Sequence, residues 1–207
     1  MAADARDRDH HGDLRNALLE GAVQLLAEGG VEAFTLRELS RRVGVNHRAA
    51  YRHFEDKRAI LAAVAAEGYR ALAAKMRAAV QASESDDAVE RLLAMGRAYV
   101  ELGVDERAHY EVMFGPRLNE DGRFPELEAA ISDSVRVLSA ELRRVAPDVP
   151  KEKIRDAGIA FLSAAHGFVT LRLTRRVRAR RELLPGYAAR VLAPVVRGII
   201  ADLAATP

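Results

Sequence analysis

The 207-residue sequence contains no cysteine and no tryptophan, and aromatic residues make up only 5% of it. Without cysteine, the chain has no disulfides, no thiolate metal sites and no cysteine nucleophile. It lacks an uninterrupted run of the roughly 18 apolar residues that a membrane span requires. Its N-terminus alternates Asp with Arg and has no apolar core of the kind found in signal peptides. These absences predict a cytoplasmic protein without a membrane anchor.

The sequence also lacks the short motifs of common enzyme classes. It has no GxSxG, HExxH, P-loop or glycine-rich dinucleotide pattern. The acidic pair at 86–87 precedes a predicted helix, where a capping role accounts for it. His10 and His11, with Asp9 and Asp13 beside them, offer metal ligands only within a segment that we expect to be a mobile arm. We therefore expect no catalytic residue, no cofactor and no metal site.

The patterns that are present are helical. Hydrophobic residues make up 49% of the chain and charged residues 30%. Apolar positions recur at the three-to-four spacing of an amphipathic helix, and no segment has a convincing strand pattern. The sequence therefore predicts an all-α fold, with a flexible arm over residues 1–12, a three-helix head with a helix-turn-helix over 13–60, and a larger C-terminal helical domain for ligand binding and dimerisation over 61–207.

Glycine and proline residues divide the chain into predicted helices. The pair at 29–30 ends the first helix, and Pro194 is expected to kink the last one. The predicted helices span about 13–28, 35–43, 46–53, 56–80, 87–102, 106–114, 125–145, 150–176 and 186–203.

The strongest local signals lie near the N-terminus. Thr35 followed by Glu38 is a capping-box pattern, in which each side chain satisfies a free amide at the start of a helix. Gly44 ends that helix, Val45 is placed to anchor the turn in the core, and Asn46 is a suitable N-cap for a second short helix. Two short helices joined by a turn that contains glycine form a helix-turn-helix unit.

Positive charge is concentrated in the same segment. Between residues 35 and 58, seven basic residues stand against three acidic ones, a net charge of +4, whereas the whole chain carries only +2. Such clustering is the electrostatic footprint expected of a nucleic-acid-binding surface, although an ordinary solvated face is the alternative. The basic residues are Arg37, Arg41, Arg42, Arg48, Arg52, Lys57 and Arg58.

The segment TLRELSRRVGVNHRAAYRHFEDKRAIL resembles the DNA-binding head of TetR-family repressors. The shared features are a capped helix, the Gly-Val turn at 44–45, the Tyr-x-His-Phe pattern at 51–54, the acidic cap Asp56 and the following Lys57. The resemblance is strong over residues 13–61 and weaker beyond them. It implies a homodimeric transcriptional repressor that binds a palindromic DNA operator and is released by a small-molecule effector.

A recognition helix presents its first turn to base edges in the major groove. Residues 46–49 form that turn here, where Arg48 can pair with a guanine and Ala49 can touch a thymine methyl. The resemblance implies phosphate contacts for Tyr51, His53 and Lys57, and Arg52 is suited to either a base or a phosphate. The predicted DNA-contacting residues are Thr35, Arg37, Asn46, His47, Arg48, Ala49, Tyr51, Arg52, His53 and Lys57.

The resemblance also implies that the C-terminal helices hold a ligand pocket. The segments HYEVMFGP and SAAHGFVTL resemble one C-terminal subgroup of the family, which often carries Trp-His-Gly where this chain has Ala-His-Gly at 165–167. Methionine and aromatic residues there are pocket candidates, although the same spacing suits plain core. The candidates are Met95, Tyr99, Tyr110, Met113, Phe114, Phe161, His166 and Phe168.

The last two predicted helices are where the family usually dimerises. Val191, Val195, Ile199 and Leu203 form an apolar stripe that suits a partner helix, or that packs within the monomer. A two-fold dimer places two recognition helices in successive major grooves.

A second basic run lies between residues 172 and 181. We expect its cations to cap a helix C-terminus and to line a solvated loop, with a second nucleic-acid contact as the alternative. Its arginines are Arg172, Arg175, Arg176, Arg178, Arg180 and Arg181.

Two functions remain open from the residues themselves. The first is a repressor released from its operator by a small molecule. The second is a DNA-binding protein of the same fold that organises DNA or acts with a protein partner, without an inducer; an occluded C-terminal core would favour it.

Overall fold

The computed structural model describes the backbone of residues 2–205 and the side chains of residues 14–205. Within these ranges the chain is helical, with no strand. The side chains of the predicted arm, including His10, His11 and their neighbouring acids, lie outside the described residues. The helices are α1 (Ala2–Ala33), α2 (Leu36–Val43), α3 (His47–His53), α4 (Lys57–Gln81), α5 (Ala88–Asp105), α6 (Arg107–Phe114), α7 (Pro125–Val145), α8 (Lys151–Leu173) and α9 (Leu184–Ala204), with a 3-10 turn at Arg181–Leu183.

The first of two compact units contains the residues up to Gly68 together with Arg107–Ala129. In it, α1 packs against α2 and α6, and α2 packs against α3. α6 therefore belongs to the same unit as the N-terminal helices, although it follows them by more than fifty residues in sequence. The buried core of this unit includes Leu18, Ala22, Leu39, Ala50, Phe54, Ile60 and Val64.

The second compact unit contains Tyr69–Glu106 and Ala130–Pro207. Its centre is formed by α5, α8 and α9, each of which packs against the other two. By length and composition alone, the segment Arg181–Ala204 is apolar enough to cross a membrane, with a mean hydropathy of 1.3. In this fold the segment supplies core residues to the unit. They include Leu184, Leu192, Val196 and Leu203.

Glycine and proline act on the helices in different ways. Gly30 interrupts α1 with φ of 70°, as expected for a residue that ends a helix, and a short helical segment continues to Ala33. Pro194 lies inside α9 without ending it. α8 ends at Leu173, three residues before the predicted end, because the chain turns there through a left-handed Arg175 with φ of 59°.

Candidate nucleic-acid interface

α2 begins and ends at the predicted capping residues. The Oγ1 atom of Thr35 accepts a hydrogen bond from the backbone N–H of Glu38 at 3.2 Å, which satisfies one free amide at the helix start. Gly44 ends the helix in the left-handed conformation, with φ of 73°. The reciprocal half of the predicted capping box is wrong: the Glu38 carboxylate accepts from the Arg41 guanidinium at 2.6 and 2.9 Å instead. A charge-assisted pair competes well with a neutral amide, since such bonds are about twice as strong.

α3 is the predicted recognition helix. The Oδ1 atom of Asn46 accepts from the backbone N–H of Arg48 at 2.9 Å, so that Asn46 is the N-cap of α3 as predicted. Ala50 is fully buried and holds the helix against the core. On the opposite face, the rings of His47 and Tyr51 meet edge to face with centroids 4.6 Å apart. This contact orders the ring of Tyr51, which is 44% exposed.

The predicted DNA-contacting side chains are mostly on the surface. Ala49, His53 and Lys57 are half-buried, and Val45, the predicted turn anchor, is also half-buried rather than fully in the core. The exposed members of the set are Thr35, Arg37, Asn46, His47, Arg48, Tyr51 and Arg52.

Lys57 has an intramolecular partner. Its Nζ atom donates a hydrogen bond to the backbone carbonyl of Val31 at 2.7 Å. An ammonium group has three donors, so this bond leaves two of them for other acceptors. The contact with Val31 places the ammonium group near the end of α1, at the start of α4.

The basic residues of the head divide into paired and unpaired groups. Arg42 donates to Glu28 at 2.6 and 2.7 Å and holds the pKa of that carboxyl below its usual range. Arg41 does the same to Glu38. Among the described side chains, three other arginines between residues 35 and 58 have no acidic partner. They are Arg37, Arg48 and Arg52, all of which belong to the predicted interface.

A loop that follows α6 braces the start of α4. Arg58 donates to the carbonyl of Leu118 at 2.7 Å and to the carboxylate of Asp121 at 2.8 Å. From the other side, Arg123 donates to Asp56 at 2.8 Å and to Glu55 at 2.6 Å. Asp56 also accepts from the N–H of Ala59 at 2.8 Å, which confirms it as the cap of α4. Local sequence patterns do not predict this brace, because the residues that it joins lie about sixty positions apart.

The brace has an electrostatic consequence for Asp56. Burial alone would raise the pKa of this carboxyl, but the hydrogen bonds from Arg123 and from the N–H of Ala59 outweigh it and lower the pKa. The Arg58 guanidinium likewise lowers the pKa of Asp121. Both carboxylates therefore remain charged in the folded protein at neutral pH.

Gly21 sets the approach of α1 to α2, a role that the sequence analysis did not identify. A Cβ atom at this position would lie 2.8 Å from Cγ2 of Val43 and 3.1 Å from Cδ1 of Leu39. The absence of a side chain lets α2 lie directly on α1. A glycine in mid-helix is the only sequence signal of this contact, and it does not name the partner.

The predicted pocket residues are distributed over both compact units. Tyr110, Met113 and Phe114 belong to the first unit, where the rings of Tyr110 and Phe114 lie 4.9 Å apart. The other five belong to the second unit. They are Met95, Tyr99, Phe161, His166 and Phe168, and all except His166 are buried.

Side chains fill the centre of the second unit around these candidates. A Cβ atom at Gly96 would lie 2.6 Å from Cδ1 of Leu192 and 3.6 Å from the Phe161 ring. The hydroxyl of Tyr99 lies 3.4 Å from Nδ1 of His166. Burial lowers the pKa of His166, so that the neutral imidazole is favoured there.

The predicted dimerisation stripe divides between core and surface. Ile199 and Leu203 are buried within the monomer, while Val191 is 43% exposed. α8 adds two exposed apolar side chains, Ile159 and Leu162. The apolar surface of these helices is therefore different from the predicted stripe and includes both α8 and α9.

Comparison with known proteins finds a matching family of regulatory proteins for each of two parts of the chain. Residues 18–64 match the family described as bacterial regulatory proteins, tetR family. Residues 92–196 match the family described as tetracyclin repressor-like, C-terminal domain.

Individual proteins that are similar to this chain are repressors or regulators, in agreement with the family matches. An HTH-type transcriptional repressor of Mycobacterium tuberculosis is 30% identical over 150 residues, which cover 71% of this chain and 77% of that protein. The class A tetracycline repressor of transposon 1721 from Escherichia coli is 46% identical over 50 residues, 24% of this chain and 23% of that protein. In fold, the TetR-family regulator PfmR of Thermus thermophilus matches with a TM-score of 0.64 at 24% identity, covering 87% of this chain and 97% of that one. On these matches, the chain belongs to the tetR family of bacterial regulatory proteins.

Proposed function

We propose that this protein is a homodimeric transcriptional repressor that reads a palindromic operator through α3 and is released by a small-molecule effector. The observation that carries the proposal is the arrangement of α2 and α3. Both helices are capped, and they present Arg37, Arg48 and Arg52, which lack acidic partners among the described side chains. Cations that no carboxylate neutralises are available to phosphates and base edges. The protein acts by binding in the cytoplasm, not by catalysis.

The first turn of α3 is suited to the major groove. His47 and Arg48 are exposed there, and Ala49 is small enough to let the helix lie close to the base edges. The guanidinium of Arg48 matches the O6 and N7 acceptors of a guanine. Asn46 uses its side-chain oxygen as a cap, so only its amide group remains to donate to DNA.

Groups that follow this turn along the chain are suited to the DNA backbone. The Tyr51 hydroxyl, the His53 ring and the second and third protons of Lys57 are donors of the kind that phosphate oxygens accept. The Lys57 ammonium donates to Val31 and the Tyr51 ring contacts that of His47, so these two side chains have partners that can position them before DNA binds. Pre-ordering lowers the entropy that binding costs.

A second copy of this chain fits the apolar surface of α8 and α9. Ile159 and Leu162 of α8 are 55% and 38% exposed, and Val191 of α9 is 43% exposed. Apolar helix faces of this kind are buried by association in two-fold symmetric dimers. A dimer would present two copies of α3 to one duplex, and its operator would be a palindrome.

The effector site is proposed in the second unit. Side chains fill the centre of this unit in the present conformation, so a ligand there would bind a second conformation in which they have moved apart. Tyr99 and His166 form a polar pair among Met95, Phe161 and Phe168, and a few polar groups among apolar side chains are typical of a small-molecule site. A ligand there would release DNA only through its differential affinity for two conformations of the dimer. Replacing His166 with Phe should weaken the response to an effector found by screening and leave operator affinity unchanged. An unchanged response would remove His166 from the site.

The first test is selection of bound sequences from a random duplex library with the intact chain. We expect a palindromic motif with two half-sites. A parallel selection with Arg48→Ala should return the same half-site spacing with one base position relaxed. Salt-sensitive binding without any motif would contradict the operator-reading function and favour a DNA-organising one.

A further inference from the structure

Residues 172–181, from the last turn of α8 into the segment that leads to α9, form the most basic part of the chain. It contains six arginines and no acidic residue between positions 172 and 181. One of them, Arg181, forms a two-pronged ion pair with Asp105, with the second prong at 2.8 Å. Among the side chains that the structure describes, no carboxylate pairs with the other five. The segment therefore carries positive charge that the described side chains do not neutralise.

Four of these arginines line a single surface cleft. The cleft has a volume of about 540 Å³, and Ala179 is the remaining lining residue. The cleft is shallow and open to solvent, so a ligand there would be held by charge and not by enclosure. The arginines of the cleft are Arg172, Arg175, Arg178 and Arg180.

Arg172 has a donor that water does not reach. Its Nε atom is buried and has no hydrogen-bond partner within the described residues. Buried donors of folded proteins are almost always satisfied by protein, water or a bound ion. The buried Nε atom is closed off from the cleft, so the donors that Arg172 offers to a ligand there are its terminal guanidinium nitrogens.

Arg175 occupies a position that usually holds glycine. The N–H groups of Arg175 and Arg176 donate to the carbonyls of Arg172 and Leu171 at 3.1 and 2.9 Å, the pattern of a Schellman motif at the end of α8. Arg175 itself is left-handed, with φ of 59°, a conformation that strains residues other than glycine. Left-handed residues other than glycine are concentrated at functional sites.

We propose that the arginine cleft between α8 and α9 is a binding site for a ligand that carries two or more phosphate groups. Guanidinium groups bind phosphate oxygens in pairs, and each phosphate group carries up to two negative charges. A single carboxylate would leave most of the charge of Arg172, Arg175, Arg178 and Arg180 uncompensated. Consecutive phosphates of this kind occur both in free phosphorylated molecules and in the DNA backbone.

The cleft variant for the test is Arg175→Gly combined with Arg178→Gln. Glycine relieves the left-handed strain at position 175, so the variant should fold at least as stably as the wild type. The matched control is Arg117→Gln combined with Arg136→Gln, which removes the same charge from two exposed arginines. These two are paired with Glu120 at 3.0 Å and with Asp133 at 3.2 Å.

The probe is inorganic pyrophosphate, titrated calorimetrically into the full chain at constant ionic strength. We expect saturable binding to the wild type and to the control, and affinity at least about tenfold lower for the cleft variant, because two charge-assisted donors are lost. This measurement involves no DNA, so it is unaffected if the proposed operator-reading function fails.

A second measurement distinguishes the two sources of phosphate. The affinity of each protein for a short duplex is measured against salt concentration. If DNA phosphates occupy the cleft, the slope of log K against log salt should fall by about 2 units in the cleft variant and not in the control. Loss of pyrophosphate binding with an unchanged slope would identify a free phosphorylated molecule as the ligand. If neither the pyrophosphate affinity nor the slope differs between cleft variant and control, the proposal is wrong.

Discussion

Two segments of this chain are rich in arginine, residues 35–58 and residues 172–181. They differ in how many of their arginines form ion pairs with carboxylates. In the first, carboxylates from other parts of the chain neutralise Arg42 and Arg58 and a neighbouring one neutralises Arg41. In the second, the described side chains neutralise only Arg181. A basic run in a sequence therefore does not say which of its charges are available to a ligand.

The physical reason is that an ion pair requires a partner at a few ångströms, and the fold supplies it. The pairing of Arg58 with Asp121 joins residues 63 positions apart, and that of Arg181 with Asp105 joins residues 76 positions apart. Paired arginines hold elements in place. Unpaired ones remain available to phosphates, as we propose for α3 and for the arginine cleft.

The largest expected effect tests whether packing or charge decides DNA binding by the first segment. Gly21→Val changes no charge, but its Cβ atom would lie only 2.8 Å from Cγ2 of Val43, and its two methyl groups need further space. We expect a loss of roughly 1–3 kcal/mol in the stability of the head, and a loss of operator binding as α2 is displaced. Chemical denaturation and gel-shift titration measure the two effects.

The control for this change is Gly186→Ala, whose Cβ would meet only the end of the Arg190 side chain at 3.8 Å. It should be neutral in both assays. Full operator affinity in Gly21→Val would show that the placement of α2 on α1 is unimportant.

The next effect concerns base reading by Arg48, one of the two arginines of α3 that have no acidic partner among the described side chains. Arg48→Ala should cost about 1–3 kcal/mol of discrimination at one base position if the contact with guanine is bidentate. Affinity for unrelated duplexes should change much less. Competition binding against operators substituted at single positions gives the measurement, and an unaltered base preference would exclude Arg48 from direct reading.

A smaller effect separates paired from unpaired arginines on α2. Arg37→Gln should lower the slope of log K against log salt by about 1 unit, because one phosphate contact is lost. The matched variant replaces the ion pair itself, Arg41→Gln together with Glu38→Gln, and should leave the slope unchanged. Equal slopes for the two variants would mean that pairing does not decide which arginines reach the DNA.

The smallest expected effect is a loss of stability of the head as the pH falls. The folded state lowers the pKa of Asp56 and of Asp121, so it binds fewer protons than the unfolded chain. The stabilisation is complete above the unfolded pKa of about 4 and is lost as pH falls through the lower folded values. Denaturation midpoints measured from pH 6 downward should fall, and Asp56→Asn should show a shallower fall. A midpoint independent of pH in this range would show that the brace adds no stability.

Much of the fold could be predicted from local signals. The helix boundaries of α2, α3 and α7 agree with the sequence expectation to within a residue, because caps, glycine and proline act over one helical turn. The end of α8 was misplaced, because an arginine in a left-handed turn carries no local signal of the kind that glycine gives.

The sequence predicted which residues form the candidate interface. It did not predict which of the charged groups there have partners within the protein. The exposed residues Arg37, Arg48 and Tyr51 follow from helix periodicity and from the family resemblance. That Lys57 donates to Val31, and that Arg123 braces Asp56, required the folded chain. The predicted pocket residues remain a prediction, and the fold assigns five of the eight to the second unit.

The sequence by itself determined the helices, the turn at Gly44 and the position of the recognition helix, because these depend on backbone preferences and on contacts between near neighbours. Only the tertiary structure decided which arginines are neutralised, how closely α1 approaches α2 at Gly21, and that four arginines line one cleft. These features depend on distances between residues that are remote in the chain, and such distances exist only once the helices have packed together.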